Sequence, residues 1–293
     1  VKPAPFAYVA PDSVEGVVGA LVEAGDDAKV LAGGQSLLPL MALRLGRPSV
    51  LVDVGRVAEL GRVEVDGDDL VVGATVTHAR LGRDPDVARV APLLAEVAPF
   101  VAHAAVRNRG TLGGSLAHND PAAEWPAVAL LLGLVATVEG PSGTREVAAA
   151  DLFESYLTTT IEPDEVLTAV RVPGLGARSG AAFDEVSRRA GDFALVGAGA
   201  RVALAADGTV ASAAVSFLGV GSTAVLDATV GTDLAGRAPD AAAIDEVARS
   251  AAARLDPHDD LHATAAYRRR LAATLARRTL TTAVARAGAE VER

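Results

Sequence analysis

The chain has 293 residues, 50% of them hydrophobic but only 3% aromatic, so a sizeable core must be built from Val, Leu and Ala. A formal net charge of −10 argues against a nucleic-acid backbone or an anionic membrane surface as the main partner. The absence of cysteine excludes disulfides, thiolate-ligated zinc and cysteine-bound iron–sulfur clusters within this chain.

The opening "VKPAPFAYVAPDS" lacks a basic stretch followed by an apolar one, so no signal peptide is expected. Ser13 is placed to cap a helix through "VEGVVGALVEAGDD", with Val14, Val17, Val18 and Leu21 on one face. "AKVLAGG" reads as a short buried strand that ends at Gly33 and Gly34, and "SVLVDV" as another. "RVEVDGDDLVVGATVTH" predicts two strands around a turn at Asp66-Gly67. Residues 86–101 have helical apolar spacing, limited by Pro92 and Pro99. "TLGGSLAHNDPAAEWPAVALLLG" places a second Gly-Gly, 113–114, before a polar loop and an apolar helix that Trp125 and Pro126 start and pack. The most apolar run, residues 127–138, has about twelve residues, short of the roughly 18–20 needed to span a bilayer. No membrane insertion and a cytoplasmic location are therefore expected.

"VATVEGPSGTREVAA" predicts a hairpin, and "PGLGARSG" a connector. Beyond it come strands in "AAFDEVSR" and "GARVALAADGTVASAAVSFLGV", then two Ala-rich helices, roughly 240–254 and 264–287. Strands and helices mix without regular βαβ alternation, which favours α+β over a doubly wound sheet.

Both Gly-Gly pairs are closely followed by a serine, Ser36 and Ser115, with Gln35 and Thr111 beside them. Loops without Cβ atoms can turn N–H groups toward an anion, and a diphosphate commonly needs this; Gly-Gly also marks ordinary turns, so the residues leave both readings open. Neither stretch is G-x-G-x-x-G or G-x-x-x-x-G-K-[ST]. His258 and His262, with Asp256, Asp259 and Asp260 nearby, have ligand-like spacing, but no further ligand set is evident; a solvated loop is the expectation and no metal site is assigned. His118 shapes the second Gly-Gly segment rather than acting as a base. The basic run "YRRRLAATLARR", 267–278, reads as a solvated helix face or as a contact surface for an acidic partner.

Taken together, "AGGQSLLPLM" and "TLGGSLAHNDPAAEWPA" resemble the two FAD loops of the medium, flavin-carrying subunit of molybdenum-containing hydroxylases, the group of carbon monoxide and xanthine dehydrogenases. "KPAPFAYVAPDSVEGVVGAL" and "RRAGDFALVGAGARVAL" are similar to the same subunit, so the resemblance covers nearly the whole chain. It implies a PCMH-type, vanillyl-alcohol-oxidase-like FAD-binding domain of two α/β subdomains over 1–175. A smaller C-terminal α+β domain, an antiparallel sheet with helices, follows over 176–293.

The resemblance also implies the site. Ala32, Gly33, Gly34, Gln35, Ser36 and Leu37 would wrap the FAD diphosphate. Thr111, Gly114 and Ser115 would contact the diphosphate and the flavin side. Glu124 falls where an acidic residue hydrogen-bonds the cofactor, and Asp192 and Phe193 lie in a segment whose aromatic ring sits near the isoalloxazine. Gln35 stands where some members have His, which favours non-covalent FAD. No catalytic acid, base or nucleophile is expected in this chain.

The function implied is electron transfer from the [2Fe–2S] clusters of a small partner subunit, through FAD, to an external acceptor. A large molybdopterin-binding partner oxidises the substrate, and the assembly is a dimer of heterotrimers. The alternatives are a stand-alone FAD-dependent oxidoreductase of the same fold and a non-catalytic scaffold with a decayed cofactor site.

Overall fold

The structure is a computed structural model that describes residues 2–289; Val1 and residues 290–293, the outer ends of the two expected domains, lie outside the described residues. Three sheets follow one another along the chain, with a two-stranded ribbon of Phe153–Ser155 and Thr158–Thr159 beside the second.

The first sheet is parallel, with Val50–Asp53 between Ala7–Val9 and Ala28–Leu31. The helix Val14–Ala24 begins where the sequence predicts, with Ser13 Oγ accepting from the Gly16 N–H at 3.2 Å. Its buried face of Val14, Val17 and Leu21 packs with Val52 and Val54. Ala28–Leu31 is less buried than its apolar letters suggest, because it is an edge strand whose residues form one wall of a large cavity.

The second sheet is antiparallel. Its strand order is Val63–Asp66, Asp69–Gly73, Val166–Val172, Val135–Gly140, Gly143–Ala148. The return strand Val166–Val172 pairs between two hairpins, a long-range insertion that local patterning does not reveal. The expected turn at Asp66-Gly67 is present, with Gly67 at φ +62°, where a Cβ is disfavoured. Residues 86–101 form two helices, Pro85–Val90 and Pro92–Val97, because each proline can start a helix but cannot continue one. With Leu112–His118 and Glu124–Leu132 they cover the sheet and bury Leu94, Val97, Leu116 and Trp125.

The third sheet, Ser179–Ser187, Ala194–Leu204, Val210–Leu218 and Val225–Asp227 in that order, is antiparallel. Ala194–Leu204 extends into "ALVG", ahead of the strand expected from "GARVAL". The helices Ala241–Ala253 and Ala265–Ala289 cover one face of the sheet, and Ala248, Ala251, Ala272, Ala276 and Ala283 are buried there; alanine lets the helix backbones come close. The opposite face meets Glu124–Leu132, with Ala127 packed on Ala194, Leu218 and Ala224.

The basic run lies on the last helix, and much of its charge is spent within the chain. Arg268 is buried and donates to the carbonyls of Leu195 and Gly219 and to Asp260. Arg269 pairs with Asp256, and Arg278 with Asp184 at 3.0 Å. Further along, Arg286 reaches across to Glu96 at 2.8 Å and clasps the two halves of the chain. Among the described residues no helix is long and apolar enough to cross a membrane.

Candidate functional site

The strand Ala28–Leu31 runs into Ala32-Gly33-Gly34, and the chain turns at Gly34, φ +71°, into the short helix Leu37–Ala42. Gly33 is the tightest point: a Cβ there would sit 2.2 Å from the Arg109 carbonyl oxygen and 2.7 Å from Gly110 Cα. The two Gly-Gly segments are therefore in contact, and Ala32 lies against Gly114. Gln35 braces the turn, donating from Nε2 to the Gly33 carbonyl at 2.8 Å. Among the described residues, none of the backbone N–H groups of Gly33, Gly34, Gln35 and Ser36 donates to a backbone carbonyl. Donors left unspent beside a cavity make an anion cradle.

The second segment is built differently from the loop expected of it. Gly113 and Gly114 lie in the first turn of the helix Leu112–His118, capped by Thr111. Its N–H groups are spent: Leu112 donates to Val76, Gly113 to Ala74, and Gly114 to Thr111 Oγ1 at 3.1 Å. The backbone donors of the Gly113-Gly114 pair are thus unavailable to an anion, while the second segment contributes the hydroxyls of Thr111 and Ser115. Gly113 is fixed by packing, since a Cβ there would meet Ala74 at 2.5 Å.

Ala32, Gly33, Gly34, Gln35, Ser36, Leu37, Thr111, Gly114, Ser115 and Glu124 all line a single cavity of about 770 Å³. That volume lies within the range of roughly 300–1,000 Å³ typical of small-molecule and cofactor sites. The cavity also takes in residues that carry no motif: Lys29, Arg47, His78 and most of residues 157–167. Asn119 brings that stretch in. It is buried in a left-handed conformation, φ +48°, and donates from Nδ2 to the carbonyls of Ser155 and Thr158, both at 2.8 Å. Asparagine is among the few non-glycine residues that tolerate that backbone.

Under the cavity, Trp125 donates from Nε1 to His78 Nδ1 at 3.0 Å, and the rings stack with centroids 5.7 Å apart. Trp125 packs as expected and is only 1% exposed. Burial, and then the charge of Arg107, push the His78 imidazole down to about 4. His78 is therefore neutral, with its proton on Nε2, because Nδ1 accepts from Trp125.

Glu124 opens the helix Glu124–Leu132 and is 7% exposed. Burial pushes its carboxyl up to about 7, opposed by its own backbone N–H and assisted by the charge of Asp120. A group so tuned can donate a hydrogen bond into the cavity when protonated and accept one when ionised.

Asp192 and Phe193 stand apart from the other ten. They line a neighbouring recess of about 560 Å³ that shares Asp120 with the large cavity. Phe193 is 67% exposed. The turn that carries them leans on the first half of the chain through Gly191, φ +87°, where a Cβ would lie 2.3 Å from the His103 ring. His258 and His262 line the same recess, but Asp260 between them is committed to Arg268 and to the N–H groups of His262 and Ala263. Among the described residues no three His, Asp or Glu side chains are grouped to hold a metal ion.

Comparison with known proteins agrees with this architecture. The family described as the FAD binding domain in molybdopterin dehydrogenase matches residues 4–175, and the CO dehydrogenase flavoprotein C-terminal domain matches residues 181–283. The chain is 41% identical over 287 residues to the 6-hydroxypseudooxynicotine dehydrogenase complex subunit alpha of Paenarthrobacter nicotinovorans, covering 98% of this chain and 97% of that one. It is 37% identical to the carbon monoxide dehydrogenase medium chain of Hydrogenophaga pseudoflava, covering 97% and 99%. A crystal structure of quinoline 2-oxidoreductase from Pseudomonas putida 86 superposes with a TM-score of 0.93 at 39% identity, covering 98% of this chain and 99% of that one. The chain therefore belongs to the FAD-binding medium subunits of the molybdenum hydroxylases, the family of the carbon monoxide dehydrogenase medium chain.

Proposed function

We propose that the large cavity holds FAD non-covalently and that the chain is the electron-transfer subunit of a molybdenum hydroxylase. It would stand between the [2Fe–2S] clusters of a small partner and an external acceptor. The observation that carries this reading is the set of N–H groups at residues 33–36 that no backbone carbonyl takes up, on residues that line a cavity of cofactor size. Bound FAD supplies the redox chemistry, and the protein's part is to hold and orient it. The N–H groups and the nearby Lys29 and Arg47 suit the diphosphate. Gln35, tied to its own loop in place of a histidine, supports a cofactor held without a covalent bond. Asp192 and Phe193 belong to the flavin end of this site, reached past Asp120. In this reading residues 1–175 form the cofactor domain and 176–293 the C-terminal domain.

The relatives above carry the names of compounds as different as carbon monoxide and the nitrogen heterocycles quinoline and 6-hydroxypseudooxynicotine. Substrate choice is accordingly assigned to a large molybdopterin-binding partner, and the assembly to a dimer of heterotrimers. Expressed alone, the chain is expected to bind FAD yet show no flavin reduction by organic substrates. Expressed with both partners, it is expected to be reduced rapidly. The check is stopped-flow flavin bleaching on both preparations; fast reduction of the single chain would promote a stand-alone oxidoreductase instead.

Phe193→Ala tests the flavin end. The side chain is largely exposed, so stability should change by less than about 0.5 kcal/mol. If the ring covers the isoalloxazine, flavin fluorescence and reactivity toward oxygen should change. Unaltered spectra, affinity and oxygen reactivity would remove Phe193 from the site.

A further inference from the structure

His78 is tied down by its backbone. Its N–H donates to the Gly110 carbonyl at 3.0 Å, and Thr77 before it bridges to Thr111. Its ring is tied on one edge only. Trp125 donates from Nε1 to His78 Nδ1 at 3.0 Å, which leaves the ring proton on Nε2.

That second edge has no partner in the protein. Among the described residues the only hydrogen bond of the imidazole is the one from Trp125. Gly110 faces Nε2 so closely that a Cβ there would lie 2.8 Å from it. The carbonyls of this turn are already in use: Val106 accepts from the Arg109 and Gly110 N–H groups, and Gly110 accepts from the His78 backbone. Arg107 gives its guanidinium to the carbonyls of Pro99, Val101 and Ala102.

Nor is Nε2 sealed off. The fully buried side-chain atoms without a partner among the described residues are Asn119 Oδ1, Glu185 Oε2 and Ser216 Oγ. Nε2 is not one of them, so it reaches open space although His78 is only 4% exposed. The space that His78 lines is the large cavity.

Its place in the cavity indicates which acceptor it would meet. A Cβ on Gly33 would lie 2.7 Å from Gly110 Cα, so the Nε2 edge stands behind the point where the two Gly-Gly segments touch. The N–H groups of residues 33–36 that no backbone carbonyl takes up are on that side. A fixed neutral donor beside them adds to a site for anionic oxygens without adding charge.

We propose that His78 is a cofactor-binding residue: its Nε2–H, set in place by Trp125, donates to an oxygen of the cofactor's diphosphate. The proposal rests on the FAD reading of the cavity. Burial, and then the charge of Arg107, keep the imidazole neutral, so the same tautomer is presented at neutral pH. Donation to an anion makes Nδ1 a stronger acceptor, and the bond from Trp125 should tighten with it.

The test uses the full chain, freed of cofactor and labelled with nitrogen-15. Trp125 is its only tryptophan, so the indole N–H gives a single signal. As FAD is titrated in, the His78 Nε2–H and the indole N–H should both move downfield in the nuclear magnetic resonance spectrum. The FAD dissociation constant should rise roughly tenfold in His78→Phe, which has no donor. It should rise threefold or less in His78→Gln, whose amide N–H can take the place of Nε2–H. Two signals that stay in place at FAD saturation, or a folded His78→Phe chain with native affinity, would overturn the proposal. Should the variants fail to fold, the signals of the native chain decide alone. A native chain that binds no FAD overturns the cofactor reading, and the proposal with it.

Discussion

Gly33→Val and Gly34→Val are expected to purify without flavin, having lost on the order of 3 kcal/mol of binding, about a hundredfold. The two fail for different reasons. At Gly33 a Cβ meets the Arg109 carbonyl oxygen at 2.2 Å and Gly110 Cα at 2.7 Å. Backbone cannot rotate away as a side chain can, so the two Gly-Gly segments must separate. At Gly34 the difficulty is φ +71°, a conformation that costs a residue with a Cβ about 1–2 kcal/mol, and a β-branched one more. Straightening that turn would also redirect the unspent N–H groups of Gly33–Ser36. Gly19→Ala is the control: it lies in the helix Val14–Ala24 with open space around it, and should keep full flavin while gaining up to about 1 kcal/mol. The ratio of flavin to protein absorbance reads all three, and a Gly34→Val chain with undiminished flavin would show that this turn is not the diphosphate cradle.

Trp125→Ala should be the most destabilising substitution, costing about 3–5 kcal/mol in denaturant unfolding. The indole is almost fully buried between the second sheet and the cavity floor. Trp125→Phe separates packing from hydrogen bonding: it keeps most of the bulk but leaves His78 Nδ1 without its donor, a loss of about 1–3 kcal/mol. His78 also sets a pH dependence. Its ordinary value is 6.5 and in the folded chain it is pushed down to about 4. The unfolded chain therefore takes up this proton first as the pH falls. The stabilisation from neutral His78 is complete above 6.5 and is lost as the pH drops through about 4. Thermal unfolding across that window should show the loss in the native chain and its absence in a folded His78→Gln chain. A native chain equally stable at both ends of the window would contradict the burial of a neutral imidazole.

How much of this was legible beforehand differs by element. Ser13 and the Val14, Val17, Leu21 stripe defined the first helix, because capping and a 3.6-residue period are local properties. The hairpin at Asp66-Gly67 and the two Ala-rich helices were legible for the same reason. So was the family, since its signature lies in contiguous stretches around Gly33-Gly34 and Gly113-Gly114. The absence of cysteine determined outright that no iron–sulfur cluster can be ligated by thiolates of this chain.

The tertiary structure decided what depends on distant residues meeting. The two Gly-Gly pairs look alike in sequence, yet only the first leaves its N–H groups unspent, because the second is drawn into a helix by the carbonyls of Val76 and Ala74. Lys29, Arg47 and most of residues 157–167 carry no motif, and join the cavity through strand edges and the grip of Asn119 on the Ser155 and Thr158 carbonyls. Asp192 and Phe193 lie in the recess beside the cavity, a separation set by how the third sheet seats on Glu124–Leu132. Glu124 is pushed up to about 7 chiefly by burial, and nothing beside it in the sequence marks it as buried. The shift depends on the water excluded around the carboxyl, which is set only when distant elements close over it.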